Sequence, residues 1–190
     1  MKSRIVIVDD EPIIRLDVKE MLLAAGYDIV GEASDGFEAI RICDELKPDL
    51  VIMDIKMPLL DGLTAAKKIV ANNSASGIIL LTAYSDQQYV SKAKDFGALG
   101  YLIKPLNEQA LIPTVELALS KGHEVKELEK ELQLLTKKLE ERKIIEKAKG
   151  KLMLLEGLSE DEAYKKMRSI SMQKRVSMSQ VAEVMVMIDE

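Results

Sequence analysis

Five short runs of β-forming apolar residues recur along the first part of the chain: IVIV at 5–8, DIVGEA at 28–33, LVIM at 50–53, IILLT at 78–82 and LGYLI at 99–103. Stretches of helical character separate them, and strands that alternate with helices predict a parallel sheet. The first, third and fourth runs are apolar throughout, the pattern of strands covered by helices on both faces. The expected fold class is therefore a doubly wound α/β layer of five parallel strands. In such a sheet ligands sit beyond the carboxyl ends of the strands, so the residues just after each run are where chemistry is sought.

Those residues are Asp9 and Asp10 after the first run, Asp54 at the end of the third, Thr82 at the end of the fourth and Lys104 after the fifth. The topology brings all five to one sheet edge. Three crowded carboxylates repel one another, and a divalent cation with oxygen ligands relieves this; Mg²⁺ fits best. A carboxylate oxygen of Asp54 is then the nucleophile for in-line attack on a phosphoryl group. The metal and the Lys104 ammonium stabilise the equatorial oxygens, and Thr82 supplies a hydroxyl donor. Each residue alone has a plainer reading: an Asp after a strand as a turn or cap residue, Lys104 as a solvated charge, Thr82 as a strand-end hydroxyl, Tyr101 as a half-buried aromatic. Their joint occurrence outweighs those readings.

After Pro105 the pattern turns fully helical. Val125, Leu128, Leu132, Leu135 and Leu139 are spaced three, four, three, four, with charged residues filling most other positions. This heptad seam predicts a coiled coil in which a second chain meets the apolar stripe; the competing reading is an amphipathic helix packed on its own domain. Cap signals outline three more helices: one through 144–156 closing at Gly157, one opening at Ser159 with Glu162 three residues on, and one opening at Ser177 with Gln180 three residues on. The expected organisation is a phosphoacceptor domain over 1–121, a dimerisation helix over 122–143 and a three-helix domain over 144–190. Met167, Met172, Met178, Met185 and Met187 are expected to fill the small core of the last.

The 190 residues suffice for one ordinary domain and a smaller one. A single cysteine, Cys43, rules out an internal disulfide framework, and its apolar surroundings predict a buried, inert thiol. The opening apolar run ends in acids after four residues, so neither a signal peptide nor a membrane span is read there, and a cytoplasmic protein is expected. Residues 1–123 hold 13 Lys/Arg against 18 Asp/Glu, and residues 124–190 hold 14 of each. The acidic part is unpromising for nucleic acid; the neutral part can still segregate a basic face on folding. Beyond residue 121 there is no nucleophile–base pair, phosphate loop or metal-ligand cluster, so an enzymatic output is not expected. His123 reads as a surface residue.

VDDEP at 8–12, MDIKMPLLDG at 53–62, TAY at 82–84 and GYLIKP at 100–105 resemble, in order and spacing, the receiver domains of bacterial two-component response regulators. The resemblance spans 4–121. It implies a flavodoxin-like fold and phosphorylation of Asp54 by a sensor histidine kinase. It further implies Mg²⁺ bound by Asp9, Asp10, Asp54 and the Lys56 carbonyl, a switch through Thr82 and Tyr101, and a cis peptide before Pro105.

Residues 144–190 resemble the ANTAR domain of transcription antitermination regulators, through AKGKLM, EDEAYKKMR and Ser171–Met172 before QKR. Within that family the sequence is similar to the ethanolamine-utilisation regulators. The resemblance implies binding, as a homodimer formed on phosphorylation, to RNA hairpins in a leader transcript, which prevents a terminator from forming. The residues expected to face RNA are Lys147, Ala148, Lys149, Gly150, Lys151, Tyr164, Arg168 and Arg175, with Tyr164 the only aromatic in the module for stacking. Competing outputs are a DNA-binding helix-turn-helix and a protein-interaction module.

Overall fold

A computed structural model describes residues 2–83 and 97–187 of the chain. The five strands are β1 (Arg4–Val8), β2 (Asp28–Ala33), β3 (Leu50–Asp54), β4 (Ile78–Thr82) and β5 (Gly100–Ile103). They form one parallel sheet in the order β2-β1-β3-β4-β5. Six helices lie among the described residues: α1 (Pro12–Ala24), α2 (Gly36–Leu46), α3 (Gly62–Ala71), α4 (Glu108–Glu156), α5 (Glu160–Lys174) and α6 (Met178–Met187). The chain divides into two compact units, Met1–Glu127 and Leu128–Glu190.

In the first unit the period-2 alternation of the strands feeds two separate cores. Val6, Val8, Val51, Met53 and Leu80 pack with Ala39, Cys43, Ala65, Ala66 and Ile69 of α2 and α3. Ile5, Ile7, Leu50, Ile52, Ile79 and Leu81 pack with Val18 and Leu22 of α1 and Leu111, Val115 and Ala118 of α4. Helices on both faces explain why these strands read as unbroken apolar runs. Cys43 is fully buried, and burial pushes its thiol up to about 12. Strand order reverses between β1 and β3, which opens the crevice at the carboxyl edge where Asp9 and Asp54 sit.

In the second unit, Ala148 and Leu152 of α4, Ala163 and Met167 of α5 and Ala182 of α6 form a small core, flanked by Ile144, Ile145, Met153, Leu158, Met178 and Met185. Both predicted caps are present. Ser159 and Glu162 exchange side-chain and backbone hydrogen bonds in a capping box, and Ser177 and Gln180 do the same. Two expectations need correction. The helix predicted to begin near 144 is the end of the 49-residue α4, since no cap or breaker interrupts the charged run before it. Met172 and Met187 do not join the core but are largely exposed.

Between its two packed ends, α4 exposes every residue from 123 to 140. Val125, Leu128, Leu132, Leu135 and Leu139 are therefore uncovered within the monomer. That outcome excludes the reading in which the stripe packs against its own domain.

Candidate functional site

Three strand ends build the acidic pocket. Asp9, immediately after β1, is fully buried; Asp54, the last residue of β3, is 4% exposed. Lys104, immediately after β5, reaches between them with its Nζ 2.6 Å from Asp9 Oδ2 and 2.8 Å from Asp54 Oδ1. The backbone N–H of Lys104 donates to the Thr82 carbonyl at 2.8 Å, which ties β5's end to β4's. The Lys104–Pro105 peptide is cis.

Each carboxylate is also held locally. Asp9 Oδ1 accepts from the Glu11 N–H at 3.0 Å, and the Lys56 N–H donates to Asp54 Oδ2 at 2.8 Å. Burial raises the pKa of Asp54, and the Lys104 ammonium only partly offsets this. For Lys104, burial works to lower the pKa, but the hydrogen bonds and charges of Asp54 and Asp9 outweigh it and the net shift is upward. The two groups thus depend on each other for their charge.

Asp10 is exposed beside the pocket rather than inside it, and the Lys56 side chain is exposed. Thr82 is buried at the end of β4, and Tyr101, half-buried on β5, stands in register with Leu80. Tyr84 lies outside the described residues. Among the described residues no group of three or more His, Cys, Asp or Glu is placed to hold a metal ion, and Lys104 bridges two of the carboxylates. The donors nonetheless fit a hard cation. Asp9 Oδ2 is fully buried with the Lys104 ammonium as its close partner at 2.6 Å, and every available ligand atom is oxygen.

Two residues that shape the pocket are not evident from sequence spacing. The Arg15 guanidinium donates to the Asp9 carbonyl at 2.6 Å and pairs with Glu32, so α1 braces the loop carrying Asp9. Gly62 opens α3 with its N–H on the Ile55 carbonyl at 2.9 Å, and a Cβ there would lie 1.9 Å from the Asp54 carbonyl oxygen. Gly62 is therefore required for close approach, not for its dihedral angle. Gly62→Ala should displace the loop that follows Asp54 and lower stability by about 3 kcal/mol. Thermal melting checks this; an unchanged melting temperature would show that the loop yields freely.

In the second unit, the residues expected to face RNA separate into two groups. Ala148 is fully buried in the three-helix core, and Lys149 is 8% exposed. The Lys149 ammonium is gripped by Glu146 at 2.6 Å and Glu160 at 2.7 Å, joining α4 to α5, and these two carboxylates raise its pKa. Both residues support the module from within, which corrects their placement on its outer face. Lys151 is half-buried and donates to the Val186 carbonyl near the end of α6 at 2.9 Å. Lys147, Tyr164, Arg168 and Arg175 are exposed, and Gly150 is partly so, with open space where a Cβ would stand. No helix among the described residues is long and apolar enough to cross a membrane.

A buried aspartate at the carboxyl end of β3, bracketed by a second aspartate and a lysine in a 2-1-3-4-5 sheet, is the arrangement of a receiver-type domain. Comparison with known proteins agrees. Residues 5–116 match the response regulator receiver domain and residues 133–186 match the ANTAR domain, so the chain belongs to the response regulator family and carries an ANTAR output. Its relatives include transcriptional regulatory proteins and the chemotaxis protein CheY. The transcriptional regulatory protein PdtaR of Mycobacterium tuberculosis is 46% identical over 181 residues, covering 95% of this chain and 88% of that protein. Among solved structures, the receiver domain of the response regulator NarL from the same species superposes with a TM-score of 0.59 at 29% identity, covering 63% of this chain and 97% of that one. The CheX–CheY–BeF3–Mg²⁺ complex of Borrelia burgdorferi gives 0.56 at 28%, covering 60% and 86%. These matches establish the family without singling out ethanolamine utilisation as the regulated process.

Proposed function

We propose that a sensor histidine kinase phosphorylates Asp54 and that the phosphorylated chain dimerises to bind hairpins in a leader transcript, preventing transcription termination in the cytoplasm. The observation that carries the reading is the buried pair of carboxylates sharing one ammonium. Burial raises the pKa of Asp54, and the Lys104 ammonium 2.8 Å from its Oδ1 is the cation placed to meet the added charge of a phosphoryl group.

In the transfer, an Asp54 oxygen forms the new P–O bond while the donor's P–N bond breaks and its electron pair returns to the leaving imidazole. Lys104 then turns toward the phosphoryl oxygens that replace the lost carboxylate charge. Asp9, Asp10, Asp54 and the Lys56 carbonyl would hold Mg²⁺, which neutralises charge on the transferring group. The Borrelia relative, solved with BeF3 and Mg²⁺, supports that assignment. The Thr82 hydroxyl donates to a phosphoryl oxygen, and its inward turn leaves space for the Tyr101 ring.

For the output, Lys147, Gly150, Tyr164 and Arg168, with Arg175 at the end of α5, form the RNA-facing set: cations for phosphates, an aromatic for a loop base and a glycine where a backbone can come close. Lys149 and Lys151 act through the module's architecture. Lys147→Ala should weaken hairpin binding and make its salt dependence shallower by about one phosphate contact. Lys149→Ala should lower the melting temperature instead and leave the salt slope intact. Titrating hairpin RNA and duplex DNA at one salt concentration tests the class of target, and equal affinity would favour the DNA-binding alternative.

A further inference from the structure

We infer that the exposed seam of α4 pairs two copies of the chain antiparallel, with Leu132 of one copy opposite Leu135 of the other. The inference rests on the dimerisation proposed above and adds its orientation and register.

The leucine spacing fixes the heptad phase. Val125, Leu132 and Leu139 occupy one core position and Leu128 and Leu135 the other, so the flanking positions are Glu124, Glu131 and Lys138 on one side and Glu129, Thr136 and Lys143 on the other. In a parallel dimer each residue of the first flank meets the second-flank residue five places on in its partner. Glu124 would then face Glu129, and Lys138 would face Lys143, each twice by symmetry, with no opposite-charge pair to offset them. Like charges so placed oppose association.

Reversing one helix changes every one of these contacts. When the Leu132–Leu135 and Leu128–Leu139 layers are stacked, residues on the same flank meet each other. Lys138 of each copy then lies between Glu124 and Glu131 of the other, and Glu129 lies between Thr136 and Lys143. Glu131 near its own copy is the single like-charged approach. The end layers place Val125 against Arg142, whose aliphatic stem can cover the valine while its charge stays in water. Glu124 is already near Lys121 at 2.5 Å, but that pair is more than half exposed on both sides and is easily exchanged. Sliding the antiparallel pair back by one heptad sets Glu129 against its own copy and takes Lys143 out of its reach. Charge therefore selects the register as well as the direction.

The orientation also sets how far apart the two output modules lie. With this register, Gly150 of one copy stands about 50 Å along the helix axis from Gly150 of the other, whereas a parallel pair would place them side by side. Two hairpins on one transcript must span that distance to be held together.

Disulfide trapping in the full-length protein, treated with acetyl phosphate and Mg²⁺, tests the orientation. Val125→Cys and Arg142→Cys variants are mixed and equilibrated in a glutathione buffer. Cys43 stays out of the exchange because it is buried and its thiol is pushed up to about 12. Most of the cross-linked product should join the two different variants. Val125→Cys alone should cross-link poorly, because its two copies lie about 25 Å apart. Efficient self-cross-linking of Val125→Cys would overturn the antiparallel arrangement while leaving dimerisation intact. Sedimentation supplies an independent readout: Lys143→Glu should weaken the dimer about tenfold, because it sets a new carboxylate beside the partner's Glu129 at two symmetric places. A tighter dimer would instead mark the parallel form, in which that carboxylate meets Lys138. A wild-type protein that stays monomeric with and without acetyl phosphate would defeat the dimerisation reading and the orientation with it.

Discussion

Asp54→Ala should abolish phosphoryl labelling from a small phosphodonor with Mg²⁺ while leaving a fully folded protein. Intact-mass measurement reads the first half: wild type gains one phosphoryl group, chelation suppresses it, and the variant gains none. A surviving mass shift in the variant would move the acceptor elsewhere. The second half follows from the sign of the Asp54 shift. Burial raises its pKa in the folded state above the ordinary 3.8, so its contribution to stability is fully present below that value and is lost as pH rises through the folded pKa. At neutral pH the ionised Asp54 therefore weakens the fold, and its removal leaves Lys104 still paired with Asp9. The variant should melt at or above the wild-type temperature at pH 7, with the difference shrinking toward pH 4. A variant that melts well below wild type at neutral pH would mean that the Asp54–Lys104 contact outweighs the burial penalty.

The second large effect concerns RNA affinity. Replacing Leu132 and Leu135 together with Lys should cut binding to a two-hairpin RNA about 100-fold and leave single-hairpin binding unchanged. Once one module of a dimer holds its hairpin, the second meets its own at an effective concentration that can reach about millimolar if the span matches. The double substitution removes the two central leucine layers and sets lysines against lysines, so the protein should sediment as a monomer after phosphorylation. Both side chains are more than half exposed in the monomer, so the fold itself should not suffer. If the unphosphorylated wild type bound two-hairpin RNA as tightly as the phosphorylated protein, bivalence would be wrong even with RNA as the target.

Much of the receiver unit was legible because its information is local and periodic. Apolar runs that do not alternate specify strands covered on both sides, and the observed strands begin and end within a residue of the runs. Asp9, Asp54, Thr82 and Lys104 follow from position alone, since parallel topology carries every strand's carboxyl end to one edge. Both helix caps in the output unit were visible for the same reason, a hydroxyl and a reaching side chain three residues apart.

The rest depended on distances between residues far apart in sequence. A run of lysines at 147, 149 and 151 looks like one basic tract, yet the fold engages Lys149 with Glu146 and Glu160 and Lys151 with the Val186 carbonyl, leaving Lys147 exposed. Helical periodicity separates Lys149 from the face that Lys147 and Lys151 can share, but it does not show that Glu160 and the Val186 carbonyl arrive from α5 and α6 to engage Lys149 and Lys151. The bracing of Asp9 by Arg15 and the steric demand on Gly62 are likewise set by where α1 and α3 meet the loops. Sequence by itself determined which residues stand at the strand ends, the caps and the spacing of the leucine stripe, because each is written at the pitch of its own element. Only the tertiary structure decided which charges are satisfied inside the protein and which leucines stay uncovered, because burial is a property of packed surfaces and not of spacing.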